Sequence, residues 1–168
     1  STTDQVTATI SEGSNKIASM TGIEKLVVNS TEDDIAASID LTNVTGLTEV
    51  TANFVTSGDG DQIEIDKLPA GVTVKAKTTS DGAGSDPDIL DIGAADASTT
   101  TTAVTVQVDA AFTATDDSIN IDAAGVETFT LYNKSGAATN VFDLAGVTPT
   151  TDSKTKIIVT GVGATLKT

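Results

Sequence analysis

Asp61-Gln62-Ile63-Glu64-Ile65 alternates polar and aliphatic residues, and the chain repeats the phrase with variations along its length. A side-chain period of two sends Ile63 and Ile65 to one face of a strand and Gln62 and Glu64 to the other. The pattern, aspartate followed at the second and fourth positions by an aliphatic or alanine, stands at Asp4-Gln5-Val6-Thr7-Ala8 and Asp33-Asp34-Ile35-Ala36-Ala37. It returns after Ile65 at Asp88-Ile89-Leu90-Asp91-Ile92 and Asp117-Ser118-Ile119-Asn120-Ile121, the successive starts lying 29, 28, 27 and 29 residues apart. Two copies run on identically, as Ile65-Asp66 and Ile121-Asp122, and a looser copy, Asn140-Val141-Phe142-Asp143-Leu144, follows 23 residues later. A unit of this length cannot enclose a core of its own, so its apolar face must be buried against the next unit. It has room for about three short strands and their turns. The chain therefore reads as all-β, a parallel β-solenoid of about six loose coils. Ile63, Ile65, Leu90, Ile92, Ile119 and Ile121 are the expected inward residues. An antiparallel β-sandwich is the alternative, since it also strings short strands together at close spacing.

A second similarity spans a longer distance. Gly22-Ile23-Glu24 through Asp40-Leu41-Thr42-Asn43-Val44-Thr45 aligns without gaps to Gly125-Val126-Glu127 through Asp143-Leu144-Ala145-Gly146-Val147-Thr148, at an offset of 103. Leu26, Val28 and Ile39 meet Phe129, Leu131 and Phe142. In each copy the glycine reads as a turn before a strand and the glutamate as an outward residue. The two alignments disagree by four residues at the last short copy, so insertions and deletions are expected in the turns.

Composition supports strands over helices. Of 168 residues, 31 are Thr, 16 Val and 13 Ile, against 8 Leu, and β-branched side chains lose rotamer freedom in helices but pack well on a pleated sheet. The whole of 1–168 reads as a single β-rich repeat domain. It opens Ser1-Thr2-Thr3 without Met, as expected of a fragment of a longer secreted chain.

Charge and chemistry then exclude function classes. The formal net charge is −15, which repels nucleic acid, whose binding needs a basic footprint. It also repels anionic membrane surfaces, and no apolar run approaches the roughly 18 residues of a transmembrane helix, so no membrane insertion is expected. The surface suits hard cations, which prefer carboxylate oxygens; solubility alone, or a high-salt habitat, accounts for the same charge. With no His, no Cys and no G-x-S-x-G elbow, nucleophilic catalysis has neither base nor nucleophile. Aromatics at 3% leave no platform for a sugar-cleaving cleft. The chain is read as no enzyme.

Two Gly-Asp turns are the candidate calcium sites. Ser57-Gly58-Asp59-Gly60-Asp61-Gln62-Ile63 and Ser80-Asp81-Gly82-Ala83-Gly84-Ser85-Asp86-Pro87-Asp88 combine glycines, which permit tight positive-φ backbone, with carboxylates that can converge on a cation needing six to eight oxygens. The candidate metal ligands are Asp59, Asp61, Asp81, Asp86 and Asp88. Both turns depart from the β-roll nonapeptide G-G-x-G-x-D-x-U-x: Asp88 stands where an aliphatic is needed, and Asp61 lies one residue too close to its glycines. An ordinary solvated turn uses the same residues. Asp116-Asp117 and Glu32-Asp33-Asp34 are further acidic clusters, which serve equally as polar entries to strands.

Gly22-Ile23-Glu24-Lys25-Leu26-Val27-Val28 and Gly125-Val126-Glu127-Thr128-Phe129-Thr130-Leu131, in a Thr-, Ala-, Asp- and Gly-rich chain without Cys, resemble Gram-negative surface-layer proteins of the Caulobacter and Campylobacter type, relatives of the RTX proteins. The resemblance covers most of the chain in composition but only these phrases in motif. It implies export by a type I system, an extracellular location on the cell surface, self-association into a lattice with calcium bridging subunits, and attachment to cell-surface polysaccharide. The tandem nonapeptide that binds calcium in that family is not intact here. Large repeat adhesins share the composition, and a spacer or ligand-binding module of an adhesin is the alternative function.

Overall fold

A computed structural model describes residues 3–11, 13–17, 19–30, 36–54, 62–78, 88–94, 103–108, 119–124, 128–133, 141–144, 147–148, 156–161 and 165–167. Among these there is no helix. Strands are numbered in chain order. One sheet holds β1 (Gln5–Ile10), β4 (Lys25–Ser30), β7 (Glu49–Phe54), β9 (Thr73–Thr78), β11 (Ala103–Val108), β13 (Thr128–Asn133) and β16 (Lys156–Gly161), in that order. The second holds β2 (Gly13–Lys16), β5 (Ala36–Asp40), β8 (Gln62–Leu68), β10 (Asp88–Ala94), β12 (Ile119–Ala124), β14 (Val141–Asp143) and β17 (Thr165–Lys167), with β15 (Val147–Thr148) also on β12. The short strands β3 (Met20–Thr21) and β6 (Val44–Thr45) pair with each other.

Each pass of the chain thus adds one strand to each sheet, and the described pairings between strands are parallel. This is a β-solenoid, and the antiparallel sandwich is set aside. The first sheet holds seven strands among the described residues, a small difference from about six coils.

The core is a set of columns, one aliphatic above another. Register in the first sheet aligns Val6, Leu26, Val50, Val74, Val106, Leu131 and Val159. In the second sheet, Ile39, Ile65 and Ile92 stack, beside Ala37, Ile63 and Leu90. Leu26, Val50, Val74, Val106, Leu131, Ile63, Ile65, Leu90 and Ile92 are fully buried. Burial of each large side chain contributes roughly 1.5–3 kcal/mol, which offsets the ordering of strands too short to be stable singly. The first end of the Ile39 column is polar. Asn15 sits opposite Ile39, and its amide donates to the carbonyls of Ser11 (3.0 Å), Gly13 (3.1 Å) and Ser38 (3.1 Å).

Ile63, Ile65, Leu90 and Ile92 face inward as expected. For Ile119 and Ile121 the backbone alone is described: Ile121 lies over Leu90, and Ile119 pairs with Asp88 and Phe142. The short repeat needs two corrections of register. Its first copy, Val6 to Ala8, lies in the first sheet while the others lie in the second. Copies at Ile35, Ile63, Leu90 and Ile119 are not all in step, because Ala37 pairs with Ile63 and Leu90 with Ile121. Both shifts are by two residues, which preserves the inside–outside parity of a strand.

The longer similarity is realised in two of its strands. Moved by 103, β4 becomes β13 and β6 becomes β15 with identical bounds. Leu26, Val28, Ile39 and Leu41 are buried, and so are Phe129, Leu131, Phe142 and Leu144. Gly22 turns the chain before β4 at φ 69°, a backbone region that L side chains rarely adopt; Gly125 lies outside the described residues. Lys67 takes a positive φ of 59°, close to where β8 and β10 shift register between Ile92 and Ala94, as a bulge does.

Candidate functional site

The two outer faces differ in how they handle charge. On the first sheet, Glu49 bridges three coils. Its carboxylate meets Lys25 Nζ at 3.4 Å on β4 and Lys75 Nζ at 2.7 Å on β9. Burial pushes the Glu49 carboxyl up, but hydrogen bonding and attraction to Lys75, then Lys25, more than reverse this and hold it below the usual glutamate range. Four residues further along β7, Asn53 Nδ2 donates to Asn29 Oδ1 on β4 at 2.9 Å. Glu24 ties the first three coils, accepting the Asp4 N–H on its carboxylate (2.9 Å) and the Thr48 N–H on its carbonyl (2.9 Å).

Acidic residues line the outer face of the second sheet. Register sets Ser38, Glu64, Asp91 and Asp122 in one row and Lys16, Asp40 and Asp66 in the next. Glu64 separates Ile63 and Ile65, Asp66 follows Ile65, and Asp91 separates Leu90 and Ile92, so the alternation that buries these aliphatics turns the three carboxylates outward; for Asp122 the backbone alone is described. Lys16 pairs with Asp40 at 3.1 Å. Asp40 Oδ1 also accepts the Thr42 N–H at 2.8 Å and the Thr42 hydroxyl, closing the turn towards β6. These two hydrogen bonds and then the Lys16 partner lower the Asp40 pKa from 3.8 to about 2. Glu64 moves the other way: partial burial first, then the charges of Asp66 and Asp91, push its carboxyl above the usual glutamate range.

This row is the candidate site, and what it can do chemically is attract cations and, through a bridging cation, hold a second acidic surface. It is a diffuse field: among the described residues, no group of three or more carboxylates, His or Cys is placed to hold a metal ion. Of the calcium ligands expected from sequence, Asp59, Asp61, Asp81 and Asp86 lie outside the described residues, as do Glu32-Asp33-Asp34 and Asp116-Asp117. Asp88 opens β10, its backbone opposite Ile119. The Glu64–Asp91 row was absent from the expected site. Its signal was the polar position inside the short repeat and the Ile-Asp extension after it. No described helix is long and apolar enough to cross a membrane. Comparisons with protein-family models, with curated proteins and with solved structures find nothing that matches this chain.

Proposed function

We propose that the chain is a structural segment of a secreted bacterial surface-layer protein, assembling on the cell surface with help from calcium. The observation that supports this best is the repeat itself: β4 and β13 are the same element 103 residues apart in one continuous seven-stranded sheet. Such an array builds length and surface and concentrates no chemistry at one point. The acidic second-sheet face supplies the place where divalent cations would screen repulsion or bridge to neighbouring acidic molecules, cell-surface polysaccharide among them. Electron microscopy of the purified chain with millimolar calcium tests the reading. Ordered arrays that disperse in EDTA are expected; uniform single particles under both conditions refute it.

A spacer module of a large adhesin is the second reading. It is favoured by the linear stack, whose seven first-sheet strands span about 29 Å at the usual parallel spacing. A spacer stays monomeric with calcium, so the same micrographs separate the two.

A further inference from the structure

Charge is shared unequally between the two walls of the solenoid. The chain holds 24 acidic residues and 9 lysines. Four of the lysines, Lys25, Lys75, Lys77 and Lys156, fall on strands of the first sheet, and Glu49 is the one acidic residue on those described strands. The described strands of the second sheet carry seven acidic residues and three lysines. Strand propensity disfavours Asp and Glu on both walls alike, so it does not account for the difference.

Alternation sends these charges to the outer faces. On the first wall Lys25 precedes buried Leu26, Glu49 precedes buried Val50, and Lys75 separates buried Val74 and Ala76. Glu49 is held between Lys25 and Lys75, which leaves a surplus of positive charge. The rows that run on from this clip are uncharged, through Thr73, Thr105 and Thr130 and through Gln107 and Tyr132. On the second wall Glu64 lies directly against Asp91. Partial burial, then the charges of Asp66 and Asp91, push its carboxyl above the usual glutamate range, and a lysine brought over the pair relieves that crowding.

The two walls enclose one core, so their outer faces point in opposite directions. Each face is a ladder of parallel strands with the same spacing, so rows on one can run alongside rows on the other. Seven strands of six or so residues cover roughly 29 Å by 20 Å. Two such faces in contact bury about 1,160 Å² in total, which clears the roughly 1,000 Å² expected of a specific interface. Charge selects the pairing: first face on first, or second on second, brings like charges together, whereas first on second joins opposite ones.

We propose that a second copy of this chain lays its acidic second-sheet face on the lysine-bearing first-sheet face. The inference rests on the self-assembly reading above and names the interface. The contact is heterologous, because each copy offers one face of each kind, so it repeats into an open row and does not close into a dimer.

Charge reversal tests it. Lys25→Glu, Glu49→Lys and Lys75→Glu together reverse the first face and keep the pairs inside the clip; Glu64→Lys with Asp91→Lys reverses the second. Wild type is expected to grow in sedimentation coefficient with concentration at low salt and to disperse in roughly 1 M sodium chloride, where charges act over only about 3 Å. Each reversed variant alone is expected to sediment as a monomer, and their equimolar mixture to assemble, since the unlike faces meet again. Where a reversal fails to fold by circular dichroism, Lys75→Gln or Glu64→Gln replaces it and is expected to raise the concentration at which assembly begins; an unchanged threshold overturns the interface. Folded variants that assemble alone as wild type does, or whose mixture stays monomeric, overturn it and leave surface assembly standing. A wild-type chain that stays monomeric with and without calcium overturns both.

Discussion

Replacing the same residue type at two places in the stack measures how far the coils depend on one another. Ile65 is fully buried between Ile39 and Ile92, whereas Ile157 lies in the last coil and is 37% exposed. Ile→Ala removes three carbons, about 2.4 kcal/mol of transfer free energy at roughly 0.8 kcal/mol each. At Ile65 the flanking coils hold the space open, and the residual cavity brings the loss to about 3–4 kcal/mol. At Ile157 solvent fills the space, so only the buried share of the transfer is lost, about 1–1.5 kcal/mol. Urea denaturation followed by far-ultraviolet circular dichroism, at a protein concentration low enough to keep the chain monomeric, reads the difference. With a slope near 2 kcal/mol per molar, the Ile65→Ala midpoint is expected about 1 M below that of Ile157→Ala. A lower slope in Ile65→Ala alone would mark the stack splitting into separately melting halves, as nearest-neighbour coupling allows. Equal losses at the two sites would refute the column account of the core.

Glu64→Gln is expected to stabilise the chain by about 0.5 kcal/mol at low salt, because Glu64 lies directly opposite Asp91 and like charges in that relation destabilise a sheet. Its folded pKa is raised, so the protonated form is the one the fold favours. The gap between wild type and variant should close as pH falls below the usual glutamate value of 4.5, and a gap independent of pH would contradict this. Asp40 has the opposite sign. Its folded pKa is lowered from 3.8 to about 2, so its contribution is present above the unfolded value and lost as pH falls through that window. Asp40→Asn should melt below wild type near neutral pH and converge with it towards pH 2, and thermal melts across that range check the convergence. Gly22→Ala should cost about 1–2 kcal/mol from the left-handed backbone at φ 69° alone, since nothing lies within 4 Å of the added carbon; an unchanged melting temperature would refute it. Calcium should raise the melting temperature and EDTA lower it, by mass action on the folded form; identical melts would remove calcium from the proposal.

The all-β class, the stacking and the inward residues were legible because alternation is a local signal that burial enforces. Ile63, Ile65, Leu90 and Ile92 announce their face without any knowledge of their neighbours. Sheet membership was not legible. Asp4-Gln5-Val6-Thr7-Ala8 and Asp61-Gln62-Ile63-Glu64-Ile65 share a pattern, yet one lies in the first sheet and the other in the second. Both walls of a solenoid ask for the same alternation, so residue type alone does not say which wall a strand joins. The candidate site shows the same division. A single aspartate in a turn looks like a ligand, whereas the row of Glu64, Asp91 and Asp122 exists only once three coils are laid in register.

The two repeat lengths record different constraints. The short repeat drifts, pairing Ala37 with Ile63 at a separation of 26 and Leu90 with Ile121 at 31, because only the inside–outside parity of each strand must survive and a slip of two preserves it. The offset of 103 holds without gaps across β4 and β6 because it relates whole coils, each with a turn, a strand and a second short strand to place. The glycine before β4 has a positive φ, and a change in length at that turn would move the strand that follows. Elsewhere the connections absorb the variation: Val50 and Val74 are 24 residues apart in the first-sheet column, Val74 and Val106 are 32 apart, and the column continues unbroken because each strand need only keep its parity against the neighbouring coil.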